Sequence, residues 1–332
     1  MEAKASLPLK IRVLLFLLHA ATKSAYRPNG TVNRRLLNLL DLKAPPNPKP
    51  FKGVKSYDVS VDPSRNLWFR AFVPTDHRRP GYLPVVVYFH GGGFVTFGPD
   101  SRPFDALCRR LSGSIPAVVV SVNYRLAPEH RYPAQYEDGF EALKFLDDNP
   151  QELPENADLS RCFIAGDSAG GNLGHHVAKR ACQSQFQQLR VIGLMALQPF
   201  FGGEERTESE KKQVGSLTLN VERTDWYWRT FSPPGEGWDR DHEVINVSGP
   251  RAADISRLDF PTTLIFVGGM DVLQDWQRRY YEWLKRSSGK EVNLVEYPNM
   301  VHGFYAFPEL LESKQLILEV SKFVNMQMER YS

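Results

Sequence analysis

The sequence has few cysteines, little net charge and no long basic segment. Its three cysteines, Cys108, Cys162 and Cys182, form an odd set without the spacing of a disulfide framework. That pattern predicts a reducing compartment, and we therefore expect a cytoplasmic protein. The formal net charge is only +3, and without a basic run nucleic-acid binding is not indicated.

Long apolar segments and clusters of metal ligands are also missing. The apolar stretch Ile11–Ala21 is too short to span a bilayer, so we expect no stable membrane insertion. No carboxylate or cysteine cluster with ligand spacing accompanies the adjacent His175 and His176, so the sequence predicts no metal site. It gives no indication of a cofactor or of an oligomeric state.

What the sequence contains is a series of continuous apolar runs that alternate with helix-like stretches. Continuous rather than alternating apolar runs predict a mostly parallel sheet that is buried on both faces. The predicted strands are Leu67–Val73, Val85–Phe89, Ala117–Val122, Cys162–Ala165, Ile192–Leu197, Thr263–Val267 and Val292–Tyr297. The predicted helices begin near Phe104, Gln135, Asn172, Asp275 and Ser313. With 332 residues, 42% of them hydrophobic, the chain can form one large α/β domain.

The segment Gly166–Gly170 (GDSAG) fits the pattern G-x-S-x-G directly after the apolar run Cys162–Ala165. Small residues two positions before and after the serine let a strand reverse sharply into a helix, which presents the serine hydroxyl to a substrate. Ser168 is therefore the candidate nucleophile.

A glycine-rich turn, His90–Phe94 (HGGGF), follows the predicted strand Val85–Phe89. Its glycines permit a loop whose backbone N–H groups point inwards, as in an oxyanion hole. We expect the N–H groups of Gly91, Gly92 and Ala169 to bind the developing oxyanion. The alternative interpretation of this turn is a flexible loop.

A serine hydroxyl needs a base and a group that orients the base, in the chain order Ser, Asp, His. Asp271 follows the strand Thr263–Val267, and His302 follows the strand Val292–Tyr297. Functional groups of open α/β sheets gather beyond such strand ends. Asp275 is the rival carboxylate, but it falls on the first turn of a predicted helix, where an acidic residue suits the helix dipole.

These motifs, together with Asn123–His130 (NYRLAPEH), resemble the hormone-sensitive-lipase branch of the α/β-hydrolase fold. The segment Asn29–Asp41 is similar to plant class I carboxylesterases related to the gibberellin receptors. The resemblance covers nearly the whole chain and implies an α/β-hydrolase fold, with a mostly parallel central sheet flanked by helices and an N-terminal lid or cap. It also implies a carboxylic-ester hydrolase with the triad Ser168, Asp271 and His302. Gibberellin receptors lose the catalytic histidine, whereas this chain has one at that position.

The resemblance and the composition together predict the domain organisation. Residues 1–50 are expected to form a lid and a proline-rich connector, and residues 51–332 a single domain with a cap-forming insertion at about 202–258. The competing interpretation of the N-terminus is a signal peptide, but it has no A-x-A cleavage site and carries Lys23 near the cleavage region. The preferred interpretation is a helix whose apolar face covers the site.

The candidate substrate-binding residues are Phe94, Trp226 and Phe304. For the aromatic residues of the insertion, packing onto the sheet is an equally good explanation, because aromatic side chains usually serve burial.

The sequence therefore predicts a serine carboxylesterase that acts on small or medium esters. One alternative is a receptor-like protein that binds a small hydrophobic ligand without turnover. Another is a dehydratase or cyclase on the same scaffold, since a fold does not fix the chemistry.

Overall fold

The computed structural model describes residues 7–75, 81–212, 218–235 and 237–331. The strands are β1 Val54–Asp62, β2 Leu67–Pro74, β3 Leu83–Phe89, β4 Val118–Asn123, β5 Ala157–Asp167, β6 Val191–Leu197, β7 Thr262–Gly268 and β8 Val292–Tyr297. The helices are α1 Leu9–Lys23, α2 Arg34–Leu40, α3 Arg102–Ser114, α4 Ala134–Asp148, α5 Ala169–Cys182, α6 Glu208–Lys212, α7 Val221–Phe231, α8 Gln274–Ser287 and α9 Leu311–Arg330. A 3-10 helix at Phe304–Ala306 precedes α9.

The eight strands form one sheet in the order β1-β2-β4-β3-β5-β6-β7-β8. The pairs β1–β2 and β2–β4 are antiparallel, and the five remaining pairs are parallel. The carboxyl ends of β3, β5, β6, β7 and β8 therefore lie at the same edge of the sheet. The loops that carry the predicted motifs leave from this edge.

Both faces of the sheet are covered, as the continuous apolar runs predict. Along β3, Val85 and Val87 belong to one buried cluster, whereas Val86 and Tyr88 belong to another on the opposite face. Helices α4, α5 and α8 supply the first cluster, and α3 and α9 supply the second. A strand with both faces buried has no polar alternation, which explains its sequence pattern.

All seven predicted strands are present, and β1 is an addition that the sequence pattern did not reveal. The strand β1 contains both buried and exposed residues, and it lies at an edge of the sheet. An edge strand with one partner needs no continuous apolar run. The signal used for the inner strands was therefore missing.

The segment predicted as a cap-forming insertion, 202–258, contains the helix α7, which the sequence pattern did not reveal. Asn220 caps α7, because its side-chain oxygen accepts the N–H of Arg223 at 2.9 Å. The helix buries Trp226, Tyr227, Trp228 and Phe231. Aromatic residues have modest helix propensity, so packing rather than propensity accounts for α7. Residues 213–217 and 236 of the insertion lie outside the described part of the chain.

The predicted N-terminal helix is present as α1, but most of its apolar face is uncovered. Ile11 is buried, whereas the side chains of five other apolar residues are between 42% and 62% exposed. These residues are Val13, Leu14, Phe16, Leu17 and Leu18. The expectation that this face covers the site therefore fails over much of the helix. In the described residues, no helix combines the length and the apolarity needed to cross a bilayer.

The segment that follows α1 packs on α7. Trp226 Nε1 donates to the carbonyl oxygen of Arg27 at 2.7 Å, and the ring centroids of Tyr26 and Trp226 are 4.7 Å apart. The hydroxyl groups of Tyr26 and Tyr227 are 3.2 Å apart. The N-terminal segment thus reaches the insertion mainly through residues after the helix.

Candidate active site

Ser168 occupies a sharp turn between β5 and α5. Its φ is +51° and its ψ is −118°, a conformation that L-residues rarely adopt. The turn requires small neighbours, because a Cβ at Gly166 would overlap the carbonyl oxygen of Gly170, and one at Gly170 would overlap that of Phe89. The local geometry is that of a nucleophile elbow.

Ser168, His302 and Asp271 are joined by two hydrogen bonds. His302 Nε2 lies 2.9 Å from Ser168 Oγ, and His302 Nδ1 lies 2.7 Å from Asp271 Oδ2. A carboxylate oxygen accepts, so Nδ1–H is the donor and the neutral ring leaves Nε2 free to accept the serine proton. The structure brings together the three residues that the sequence singled out.

The electrostatic surroundings raise the pKa of His302. Burial lowers the pKa of the imidazole, but the charge of Asp271 and its hydrogen bond to the ring outweigh burial. Asp167 adds a smaller contribution in the same direction, so the pKa of His302 lies above its usual value of 6.5. A base with a raised pKa accepts a proton more readily from an attacking hydroxyl.

The rival carboxylate, Asp275, lies on α8 and bonds elsewhere. Its Oδ2 accepts the N–H of Ser209 at 2.7 Å, which ties α8 to α6. The sequence argument that preferred Asp271 is consistent with this placement.

In the glycine-rich turn, the prediction for Gly91 is wrong. Its N–H donates to Asp167 Oδ1 at 2.8 Å and is therefore not free to meet an oxyanion. The side chain of Asp167 lies directly against Gly91, where an added Cβ would lie 3.2 Å from the carboxyl carbon. Gly91 is thus a residue that anchors the turn.

The N–H groups of Gly92, Gly93 and Ala169 have no acceptor among the described residues. Gly92 and Gly93 have φ angles of +110° and +62°, which only glycine adopts without strain. A Cβ at Gly93 would overlap the ring of Tyr227, so α7 packs directly on this turn. Two N–H groups of the glycine-rich turn and the N–H group that follows Ser168 are therefore available to a ligand.

His90 contacts the backbone of the glycine-rich turn. Its ring stacks on Tyr124 with 4.3 Å between centroids, and its Nδ1 is 2.8 Å from the carbonyl oxygen of Gly91. Burial lowers the pKa of His90 to about 4. The ring is therefore neutral at physiological pH and serves as a donor to the loop.

The sequence reasoning missed the role of Asp167. Its carboxyl group accepts from the hydroxyl of Tyr88 at 2.6 Å and from that of Tyr305 at 2.8 Å, besides the N–H of Gly91. It thereby joins β3, the glycine-rich turn and the 3-10 helix that follows His302. Its position inside the GDSAG motif was visible in the sequence, but its distant partners were not.

Two of the predicted substrate-binding residues, Phe94 and Phe304, are fully buried in packing positions. Phe94 stacks on Phe231 with 4.4 Å between ring centroids. Phe304 packs on Tyr297 at 5.0 Å. The third, Trp226, is buried by the contacts to Tyr26 and Arg27 described above. For all three, the observed contacts are those of packing residues.

The chain matches known proteins over most of its length. Residues 86–306 match the family described as alpha/beta hydrolase fold. The gibberellin receptor GID1C of Arabidopsis thaliana is 42% identical, over 98% of this chain and 96% of the receptor. Carboxylesterase 20 of Arabidopsis thaliana is 35% identical, over 90% of this chain and 93% of that protein. The solved ester-hydrolase EH1AB1 from the metagenome of Lake Arreo has a TM-score of 0.77 and 26% identity, over 97% of this chain and 99% of its own.

Proposed function

Since this chain belongs to the alpha/beta hydrolase fold family, in the branch that holds plant carboxylesterases and gibberellin receptors, we propose that it is a serine carboxylesterase. Its substrates are small or medium carboxylic esters. The observation that carries the proposal is the pair of hydrogen bonds that links Ser168, His302 and Asp271. A protein that only binds a ligand has no need of a nucleophile, a base and an orienting carboxylate in this geometry.

The reaction proceeds through an acyl-enzyme. His302 Nε2 takes the hydroxyl proton as Ser168 Oγ attacks the acyl carbon, and then gives this proton to the leaving alcohol. Asp271 holds the ring in the required tautomer and stabilises the imidazolium. Water cleaves the acyl-enzyme by the same sequence of proton transfers.

Backbone N–H groups of the glycine-rich turn and of the turn at Ser168 stabilise the oxyanion. Gly92 and Ala169 keep the role that the sequence suggested, and Gly93 takes the place of Gly91, because its N–H has no other acceptor in the described residues. Each such donor contributes about 2.7–4 kcal/mol to lowering the barrier.

The second candidate is a receptor-like protein that binds a small hydrophobic ligand, favoured by the 42% identity to a gibberellin receptor. The two candidates differ at the nucleophile. An organophosphate should label Ser168 stoichiometrically, as seen by intact mass and peptide mapping, and p-nitrophenyl acetate should turn over. Ser168→Ala is the control and should show neither. Tight binding of a hydrophobic ligand without labelling or turnover would favour the receptor.

A further inference from the structure

The end of β6 lies between the strands that carry the three candidate catalytic residues. The N–H of Ser168 donates to the carbonyl oxygen of Leu197 at 2.9 Å. The N–H of Phe200 donates to the carbonyl oxygen of Ser168 at 2.8 Å. The segment 197–200 therefore holds the backbone of the nucleophile on both sides.

Within this segment, the buried side chain of Gln198 reaches the acid and the base. Its Nε2 donates to Asp271 Oδ2 and to the carbonyl oxygen of Val301, each at 3.2 Å. Its Oε1 accepts the N–H of Gly303 at 2.8 Å. Val301 and Gly303 flank His302, so the amide group of Gln198 contacts the backbone on both sides of this histidine. The same amide group also contacts the carboxylate of Asp271.

The backbone of Gln198 is itself held in an unusual conformation. Its φ is +45°, in the left-handed region, and its N–H donates to the carbonyl oxygen of Phe266 at 3.0 Å. Its Nε2 lies so close to Gly268 that a Cβ there would overlap it. A non-glycine residue held at positive φ costs free energy, and such residues concentrate at functional sites.

A second glutamine provides an internal comparison. Gln277 on α8 is also fully buried, and its Nε2 donates to the same Asp271 Oδ2 at 2.9 Å. Its Oε1 has no partner in the described part of the chain. Both glutamines bind the carboxylate, but Gln198 also binds the loop of His302.

We propose that Gln198 is a positioning residue that holds Asp271 and the loop of His302 as one unit over Ser168. This inference rests on the proposed ester hydrolysis. A misplacement of about 1 Å in a catalytic arrangement can lower the rate by about 10²-fold. Loss of the amide should therefore act on the chemical step and leave substrate binding nearly unchanged.

The test compares Gln198→Met with Gln277→Met, since methionine keeps the length of the side chain but has no N–H donor. Gln198→Met should lower kcat for p-nitrophenyl acetate by about 10²-fold with KM nearly unchanged, whereas Gln277→Met should lower kcat by less than about 10-fold. Circular dichroism and Tm establish that both fold. Equal losses in the two variants would overturn the proposal, because they would mean that only the hydrogen bond to Asp271 matters.

A second measurement does not depend on turnover. The downfield proton resonance of His302 Nδ1–H reports its hydrogen bond to Asp271, and it should persist in Gln277→Met but broaden or vanish in Gln198→Met. An unchanged resonance and rate in Gln198→Met would overturn the role of Gln198 alone. A wild-type protein with the resonance but without ester turnover would overturn the hydrolase, while the variants would still decide the role of Gln198. Should Gln198→Met fail to fold, Gln198→Asn, which keeps the amide but shortens the side chain by one methylene, takes its place.

Discussion

The carboxyl edge of the sheet and the N-terminal segment are attached to the rest of the protein in different ways. At the sheet edge, the buried side chain of Asp167 bonds to β3, to the glycine-rich turn and to the 3-10 helix after His302. The buried side chain of Gln198 bonds to Asp271 and to the loop of His302. In the N-terminal segment, α1 leaves much of its apolar face exposed, and the contacts to α7 come from its last turn and mainly from the residues after it. A change at the sheet edge should therefore disturb the chemistry, and a change in the N-terminal segment should disturb binding.

The largest effect is expected from the nucleophile and the base. Ser168→Ala and His302→Ala should each lower kcat by about 10⁴-fold or more, and the double variant should lose little further, because the residues act as a unit. Steady-state kinetics on p-nitrophenyl acetate measure this. Losses that multiply in the double variant would contradict a shared mechanism.

The orienting carboxylate should be nearly as sensitive. Asp271→Asn keeps the size of the side chain but favours the wrong tautomer of His302, and we expect a loss of kcat near 10⁴-fold. Asp275→Asn is the matched control on the same segment and should keep most of the activity, since Asp275 bonds to Ser209 instead. The reverse ranking would reassign the acid of the triad.

The oxyanion turn should give a smaller loss. Gly93→Ala should lower kcat by about 10²-fold or more, because the added methyl group meets the ring of Tyr227 and displaces the N–H donor. Gly289→Ala is the control, because Gly289 has nearly the same φ, +63°, but open space around it. It should lower stability slightly and leave kcat unchanged. Undiminished activity in folded Gly93→Ala would remove this turn from the site.

The pH dependence tests the electrostatics of the base. The raised pKa of His302 means that kcat/KM should fall, as the pH is lowered, around a midpoint above 6.5. Asp167→Asn removes one of the two carboxylates that raise this pKa, so the midpoint should move to lower pH. The other groups around Asp167, Tyr88 and Tyr305, are phenols whose pKa values burial raises well above 10, so they stay neutral. If the midpoint of kcat/KM does not move in Asp167→Asn, Asp167 acts only through its hydrogen bonds to Tyr88, Gly91 and Tyr305 and not through its charge.

The smallest effect should come from the N-terminal segment. Deletion of residues 1–30 removes Tyr26 and Arg27 from α7 and should raise KM for bulky hydrophobic esters more than KM for an acetyl ester. The paired substitution Phe16→Ser and Leu17→Ser changes only exposed side chains and should leave both KM values unchanged. Equal KM values for long esters before and after the deletion would contradict a role of the N-terminal segment in substrate binding.

The sequence by itself determined the parts that depend on short segments. The small residues around Ser168, the three glycines after β3 and the order of Ser168, Asp271 and His302 are local signals, and each follows a strand. The continuous apolar runs determined a parallel sheet, because both faces of its strands are buried. A parallel sheet places the ends of those strands at one edge, so the proximity of Ser168, Asp271 and His302 could be predicted.

The tertiary structure decided which groups are already paired. Gly91 and Gly93 look alike in the sequence, but the N–H of Gly91 is taken by Asp167, whose carboxyl group also binds residues far away in the chain. Phe94 and Trp226 could have faced a substrate or a core, because an aromatic side chain is buried favourably in either place. A hydrogen bond or a packing contact depends on partners that folding brings close, and the local sequence contains no signal for them.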